Sequence, residues 1–243
     1  RAQAMQPAIY VPMARDDAAY KTDFGVINLS GSSVTVTVAS VDGAGVQQGS
    51  RALTAQVPAF GRTVVTDVLR FVEGATTQLN KTGSLVVTSD GPISAFSVVT
   101  DRVSNDASVI QGSTTARTAS RLLLPYSSSV GAFRTWLAVR NVGGTAVAID
   151  ITARDAAGMQ LGRLSAVNIG SNGLYSADDV LGAMNVMGAV AVLDVQGPTG
   201  SSLVGAARVF SNVRLGGVIA ARPYTDGALS QVLAYLPDTS SET

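Results

Sequence analysis

The sequence predicts an all-β chain: two tandem antiparallel β-sandwiches of seven to eight strands each, followed by a surplus C-terminal strand. Three observations lead there. Apolar and polar residues alternate with period two, the mark of a half-buried strand. Clusters of Gly, Asp, Ser and Pro interrupt these runs at roughly 8–12-residue intervals, as in sandwiches. An aliphatic run closed by proline occurs three times, as Ala8-Ile9-Tyr10-Val11-Pro12, Leu122-Leu123-Leu124-Pro125 and Leu233-Ala234-Tyr235-Leu236-Pro237.

The prolines Pro12, Pro125 and Pro237 are 113 and then 112 residues apart. A chain of 243 residues suits two domains of that size. The spacing predicts a first sandwich over 1–115, a second over 116–228, and a tail over 229–243 that repeats the domain-opening motif. The polar stretch from Ser113 to Ser120 reads as the linker.

The elements follow in order. Sliding the second half over the first by 113 lays Tyr20–Asn28 on Phe133–Asn141. Alternation sends Phe24 and Val26, with Leu137 and Val139, inward. Asp23 and Ile27, with Trp136 and Arg140, take the other face. A Gly-containing turn follows (Ser30-Gly31-Ser32, Gly143-Gly144-Thr145), then Val34, Val36 and Val38, matched by Val147, Ile149 and Ile151. Asp42-Gly43-Ala44-Gly45 and Asp155-Ala156-Ala157-Gly158 are hairpin signals. Strands are expected near 51–57 and 62–66. Asp67-Val68-Leu69 and Asp179-Val180-Leu181 predict short helical turns, each with its aspartate as N-cap. Strands over 84–88 and 93–101 correspond to 189–193 and 203–211. A last strand near 108–111, matched by Val218–Ala221, is expected to close each unit.

Composition removes whole classes of function. Lys+Arg and Asp+Glu both number 17, so no basic field exists to hold a nucleic acid. Charged residues are 14% of the chain, against about 25% in ordinary domains. There is no cysteine, hence no disulfide, thiolate nucleophile or Cys metal site. There is no histidine, the commonest general base and metal ligand. No apolar run is long enough to span a membrane. The triplet Ala2-Gln3-Ala4 is of the kind signal peptidases cut after, and predicts export through a cleaved signal peptide.

The remaining chemistry is thin. Serines have no histidine to activate them, no Gly-x-Ser-x-Gly elbow occurs, and the only lysines are Lys21 and Lys81. Asp42, Asp90 and Asp155 sit in turns, where aspartate caps backbone N–H groups, rather than as a glycosidase pair. Asp16-Asp17 with Asp23, and Asp178-Asp179, are the densest oxygen clusters, but neither has EF-hand spacing. No phosphate-binding glycine loop is present. The second unit has no lysine for an isopeptide cross-link. Of two glycosylation sequons, Asn28 reads as a strand-closing hydrogen-bonding residue and Asn80 as a surface candidate. We therefore expect no catalytic, cofactor or metal site. Trp136, the one tryptophan, is expected to point out of its sandwich as a contact residue, or to pack under a neighbouring domain or loop.

The aliphatic-Pro opening, the Thr-x-apolar-x-Val-x-Asn strand, the Asp-Gly hairpin and the late Ser89-Asp90-Gly91-Pro92 turn together resemble tandem immunoglobulin-like repeats of secreted and surface-exposed bacterial proteins. The resemblance implies a cell-exterior role as stalk, adhesin segment or filament subunit. If the aliphatic-Pro run opens a unit, Leu233–Pro237 opens one that does not follow. It is then the last strand of the second unit, part of a longer array, or a strand completed by another copy of the protein. We expect the last: a non-enzymatic extracellular protein whose copies assemble head to tail by strand complementation. The candidate interface residues are Leu229, Val232, Leu233, Tyr235, Leu236 and Pro237, with Ile9, Tyr10, Val11 and Pro12 as the alternative donor, and Trp136. The alternative function is an adhesin or carbohydrate-binding segment contacting a host or cell-surface glycan.

Overall fold

The structure, a computed structural model, describes residues 7–103, 105–211, 214–215, 218–219 and 231–234. It divides into two compact units, Arg1–Arg117 and Thr118–Thr243.

Unit 1 contains β1 (Ile9–Asp16), β2 (Tyr20–Asn28), β3 (Val36–Val41), β4 (Gln47–Ala52), β5 (Arg62–Val65), the helix α1 (Val68–Glu73), β6 (Lys81–Ser89), β7 (Ile93–Asp101), β8 (Ala107–Gln111) and β9 (Ser113–Thr114). All pairings are antiparallel, in sheets ordered β4-β3-β6-β1-β9 and β5-β2-β7-β8. A 3₁₀ turn, Thr115–Arg117, follows.

Unit 2 repeats this order. Its elements are β10 (Arg121–Ser128), β11 (Phe133–Asn141), β12 (Val147–Arg154), β13 (Gln160–Ile169), β14 (Leu174–Ala177), the helix α2 (Val180–Ala183), β15 (Val190–Gln196), β16 (Leu203–Ser211), β17 (Arg214–Leu215), β18 (Val218–Ile219) and β19 (Gln231–Ala234). The sheets are β10-β15-β12-β13 and β14-β11-β16-β19, and among the described residues β17 and β18 pair with each other alone.

The alternating residues build the cores. In unit 1, Val11, Val36, Val38, Leu85 and Val87 of one sheet and Phe24, Val26, Ala95, Val99 and Ile110 of the other are all buried. In unit 2, Leu122, Leu124, Ile149, Ile151, Leu193 and Val195 pack against Leu137, Val139, Leu203 and Ala207 in one apolar cluster. Each unit is thus two sheets closed on a shared aliphatic core, as the period-two pattern requires.

The recurring proline has a local cause. The β1–β6 register slips between Val11 and Ala14, around Pro12. The β10–β15 register slips between Leu124 and Ser127, around Pro125. Proline has no N–H to give a ladder, so in a strand it belongs at a bulge.

One exchange between the units shows how closely they correspond. Gly25 lies under the Phe96 ring, which occupies the space a Cβ would need. The matching cross-strand pair in unit 2 is Ala138 and Ala206. A large residue on β7 needs a glycine opposite; two alanines share the same room.

Four expectations need correction. Of Val218–Ala221, expected to close unit 2, Val218 and Ile219 pair instead with Leu215 and Arg214 in a separate ribbon, and Ala220 and Ala221 lie outside the described residues. The strand expected near 51–57 ends at Ala52, leaving an isolated bridge from Val57 to Val34. Ser113 and Thr114 are not plain linker but pair with Tyr10 and Ile9. Asp179 caps α2, its carboxylate accepting from Gly182 N–H at 2.9 Å, but Asp67 does not cap α1. Asp67 adopts a left-handed backbone (φ 47°), and its N–H donates instead to Asp23 Oδ1 at 2.9 Å.

Candidate functional site: the closing strand and its sheet

The candidate residues of the tail fall on β19. Gly205 faces Ala234, Ala206 faces Leu233, Ala207 faces Val232, and Arg208 faces Gln231. This is the place of β8 beside β7, where Phe96 faces Gln111 and Ser97 faces Ile110. Val232 therefore holds the register position of the buried Ile110. The expected surplus strand is the last strand of unit 2's own sheet. Its likeness to the domain-opening motif is one of sequence alone, since β8, which closes unit 1, is not followed by a proline. Leu229, Tyr235, Leu236 and Pro237 lie outside the described residues.

The alternative donor is committed elsewhere. Ile9, Val11 and Pro12 are buried in β1, and Tyr10 lies beside them. β1 pairs with β6 along its length and with β9 at Ile9 and Tyr10. It is an interior strand, with both ladders occupied at its start.

Of the two readings of Trp136, its burial fits the packed one and not the exposed contact residue. The residue does lie on the sheet face opposite Leu137, yet it is only 1% exposed. Its Nε1–H donates to Ser176 Oγ at 2.7 Å. Ala138, Arg140, Val204, Ala206 and Arg208 on the same face are buried too, whereas Ile27, which matches Arg140, is 38% exposed. The outer faces of the two units have diverged although the inner faces have not. An indole so enclosed offers no open platform for a sugar ring.

The polar residues are used within the fold. Asp16, at the end of β1, accepts from Arg70 Nε and Nη2 at 2.8 Å each, from Arg102 Nη2 at 2.6 Å and from Leu79 N–H at 2.9 Å. Burial pushes the Asp16 carboxyl upward, but the Arg70 hydrogen bonds, the Leu79 N–H and the guanidinium charges outweigh it and hold the group below its ordinary value. In unit 2 Asp194 plays a similar part, held by Arg121 at 2.8 and 3.0 Å and by Arg154 at 3.4 Å.

Asn28 donates to the Ser32 and Pro58 carbonyls at 2.7 and 2.9 Å and accepts from Ser30 N–H at 2.9 Å. Asn141 does the same with Thr145, Gly170 and Gly143. Each ties a strand end to two loops, and Asn28 is too buried to accept a glycan. Asp42 and Asp155 each accept from two backbone N–H groups of their own hairpins.

The clusters considered for calcium are spent similarly. Asp17 caps Ala19 and Tyr20, Asp23 binds the Asp67 N–H, and Asp179 pairs with Arg134 at 3.0 Å. Among the described residues, no group of three or more His, Cys, Asp or Glu is placed to hold a metal ion. A pocket beside α1 is lined by Ser40, Asp42, Gln48, Glu73 and Lys81. Glu73 accepts from both Ser40 Oγ (3.0 Å) and Lys81 Nζ (2.6 Å), so serine and lysine meet a carboxylate rather than each other. Among the described residues, no helix is long and apolar enough to cross a membrane.

Sequence reasoning missed the acceptor, β16, whose residues Gly205–Arg208 face β19. The signal was present: Gly205-Ala206-Ala207 is a run of small residues, and a Cβ on Gly205 would crowd Leu122 and the Ala138 carbonyl.

No protein-family model matches the chain, and no curated protein does. Among solved structures, it is similar to an exo-chitosanase, CsxA, of Amycolatopsis orientalis in complex with PNP-beta-D-glucosamine. The identity is 15%, over 77% of this chain and 24% of that one, with a TM-score of 0.18. A second structure of the exo-chitosanase gives 17% identity, the same coverage and the same TM-score. This chain spans about a quarter of their length. Likenesses at that TM-score carry no functional argument.

Proposed function

We propose that the chain is a non-enzymatic structural protein of the cell exterior whose copies join head to tail by exchanging their closing strand. The observation that carries this reading is the connection into that strand. In unit 1, residues 102–106 join β7 to β8, which must fold straight back. In unit 2, residues 212–230 separate β16 from β19. The longer connection, which includes β17 and β18, sets the closing strand further along the chain from β16 than β8 is from β7. It also gives the strand the reach to enter the same place in a neighbour, where it forms the same main-chain ladder. Such a contact is heterologous and propagates instead of closing on itself.

Two further points support the reading. The polar groups described above are matched between units, the buried Asn28 with Asn141 and the hairpin Asp42 with Asp155, which suits scaffolding better than one active site. The cell-exterior placement rests on the immunoglobulin-like resemblance of the repeat.

Deleting residues 229–243 would remove a strand of unit 2 itself, so a lock is the better test. The chain has no cysteine of its own. The double variant Ala206→Cys/Leu233→Cys, oxidised as the monomer, ties β19 to its own sheet, since these positions are register partners. We expect filaments from the unmodified protein in electron micrographs, none from the locked variant, and their return on reduction. Filaments from the locked variant in undiminished number, or an unmodified protein that stays monomeric, would contradict strand exchange.

A further inference from the structure

The sheet β5-β2-β7-β8 of unit 1 turns an apolar surface outward. Ile27 on β2, Val64 on β5 and Val109 on β8 are exposed, and Phe96 and Val98 on β7 are half-buried. These residues are neighbours in the ladders. Val64 and Phe96 face Gly25 from either side, Ile27 follows two residues after Gly25, and Val98 faces Val109. The Phe96 ring lies across Gly25 and fills the hollow there, which levels the surface. Charged residues stand at the ends of the face. Arg62 faces Ile27 at one end, and Asp23 and Lys21 take the alternate positions of β2 toward the other.

The fold does not require this surface, because unit 2 builds the same sheet without it. By ladder position Ile27 corresponds to Arg140, Val64 to Ser176, Phe96 to Ala206, Val98 to Arg208 and Val109 to Gln231. The inner faces are aliphatic in both units, whereas each of these large apolar residues is exchanged for a polar, charged or small one. The turn ahead of β5 repeats the contrast. Phe60 and Asn172 hold the same turn position, with left-handed backbones of φ 53° and 55°, and their N–H groups donate to the matching carbonyls of Ser30 and Gly143. Asparagine is at ease in that conformation; phenylalanine is not, and Phe60 is also 74% exposed. Contiguous exposed apolar surface and local backbone strain both mark places where a protein makes contact.

We infer that the outer face of β5-β2-β7-β8, with Phe60 at its edge, is an association surface whose partner is the same face of a second copy. A two-fold contact needs a patch that is complementary to itself. This face is level and apolar across its middle, and its ends carry opposite signs. Two copies laid antiparallel bring the Arg62 end of one to the Asp23 end of the other. An apolar centre with a charged rim is the anatomy of a protein interface. The chain's net charge of zero sets up no repulsion between copies. Four strands about 4.8 Å apart, the nine residues of β2 rising about 3.4 Å each, make a face of roughly 500 Å². Two such faces bury about 1,000 Å² in all, enough for a specific association, with their side chains interleaved as between the sheets of a sandwich. The contact is lateral and closed, and it does not rest on strand exchange.

Sedimentation equilibrium of the full-length chain tests this, with the closing strand locked by the oxidised pair Ala206→Cys/Leu233→Cys so that strand exchange cannot join the copies. We expect a reversible monomer–dimer equilibrium. Carrying unit 2's own residues into the face, as Ile27→Arg/Val64→Ser/Val109→Gln, should leave the urea midpoint unchanged and raise the dissociation constant about tenfold or more. Phe60→Asn relieves the left-handed phenylalanine, so it should raise the midpoint while weakening the dimer. A chain that is monomeric at every concentration, or a dimer indifferent to all of these substitutions, would overturn the inference. So would a monomer that co-sediments with phosphatidylcholine vesicles through these residues, which would assign the face to a lipid surface.

Discussion

Asp16→Ala is expected to destabilise unit 1 by about 3–5 kcal/mol, read as a lowered midpoint in urea unfolding. The carboxylate is 3% exposed and joins β1 to the guanidinium groups of Arg70 and Arg102, themselves 22% and 26% exposed. Removing it leaves two partly buried cations and the Leu79 N–H without their acceptor. Asp16→Asn should cost less, because one carbonyl oxygen still accepts.

The effect carries a sign in pH. The folded-state pKa of Asp16 is lowered. Its contribution is therefore fully present above the unfolded carboxyl value of about 3.9, and is lost as pH falls through the folded value. The stability gap between wild type and Asp16→Ala should be widest near neutrality and narrow below about pH 4. A gap that stayed constant into acid would show that the ion pairs contribute nothing and that the loss is one of packing alone.

Trp136→Ala is expected to cost about 3–5 kcal/mol, the range for deleting a fully buried aromatic side chain. The residue is 1% exposed and its indole N–H is held by Ser176. Trp136→Phe should retain much of the packing and lose mainly the hydrogen bond, about 1 kcal/mol. Because Trp136 is the sole tryptophan, the folded protein should emit in the blue and shift to the red on unfolding. Emission already red-shifted in the native state, with an alanine variant of unchanged stability, would mean that the ring is solvent-exposed.

Much of the fold could be read from residue pattern because its cause is local. Val34, Val36 and Val38 alternate and are buried; so do Ile149 and Ile151. Asn28, Asp42 and Asp155 are satisfied by backbone groups within a few residues or at a loop packed on the strand end, and were legible for that reason.

What was not legible depends on partners distant in sequence. Alternation gives the face of Trp136 but not what lies over that face. Asp67 and Asp179 share a triplet, yet only Asp179 caps its helix; Asp67 takes a left-handed backbone conformation and its N–H donates to Asp23 on β2. The closing strand was misassigned for the same reason. Val218–Ala221 has strand composition, but β16 selects its partner by register with Gln231–Ala234 after a long connection. Contacts of that sequence separation leave no periodic trace.

The central claim is that one copy's closing strand lies in another copy's sheet, and mixing singly substituted copies tests it most directly. Ala206 and Leu233 are register partners, so copies carrying only Ala206→Cys are mixed with differently tagged copies carrying only Leu233→Cys. Each chain then has a single thiol and can cross-link only to another chain. The account predicts disulfide-linked pairs of unlike chains, in excess of pairs of like chains, after mixing and gentle oxidation. If both variants keep their free thiols and remain separate, β19 belongs to its own chain and the strand-exchange account is wrong.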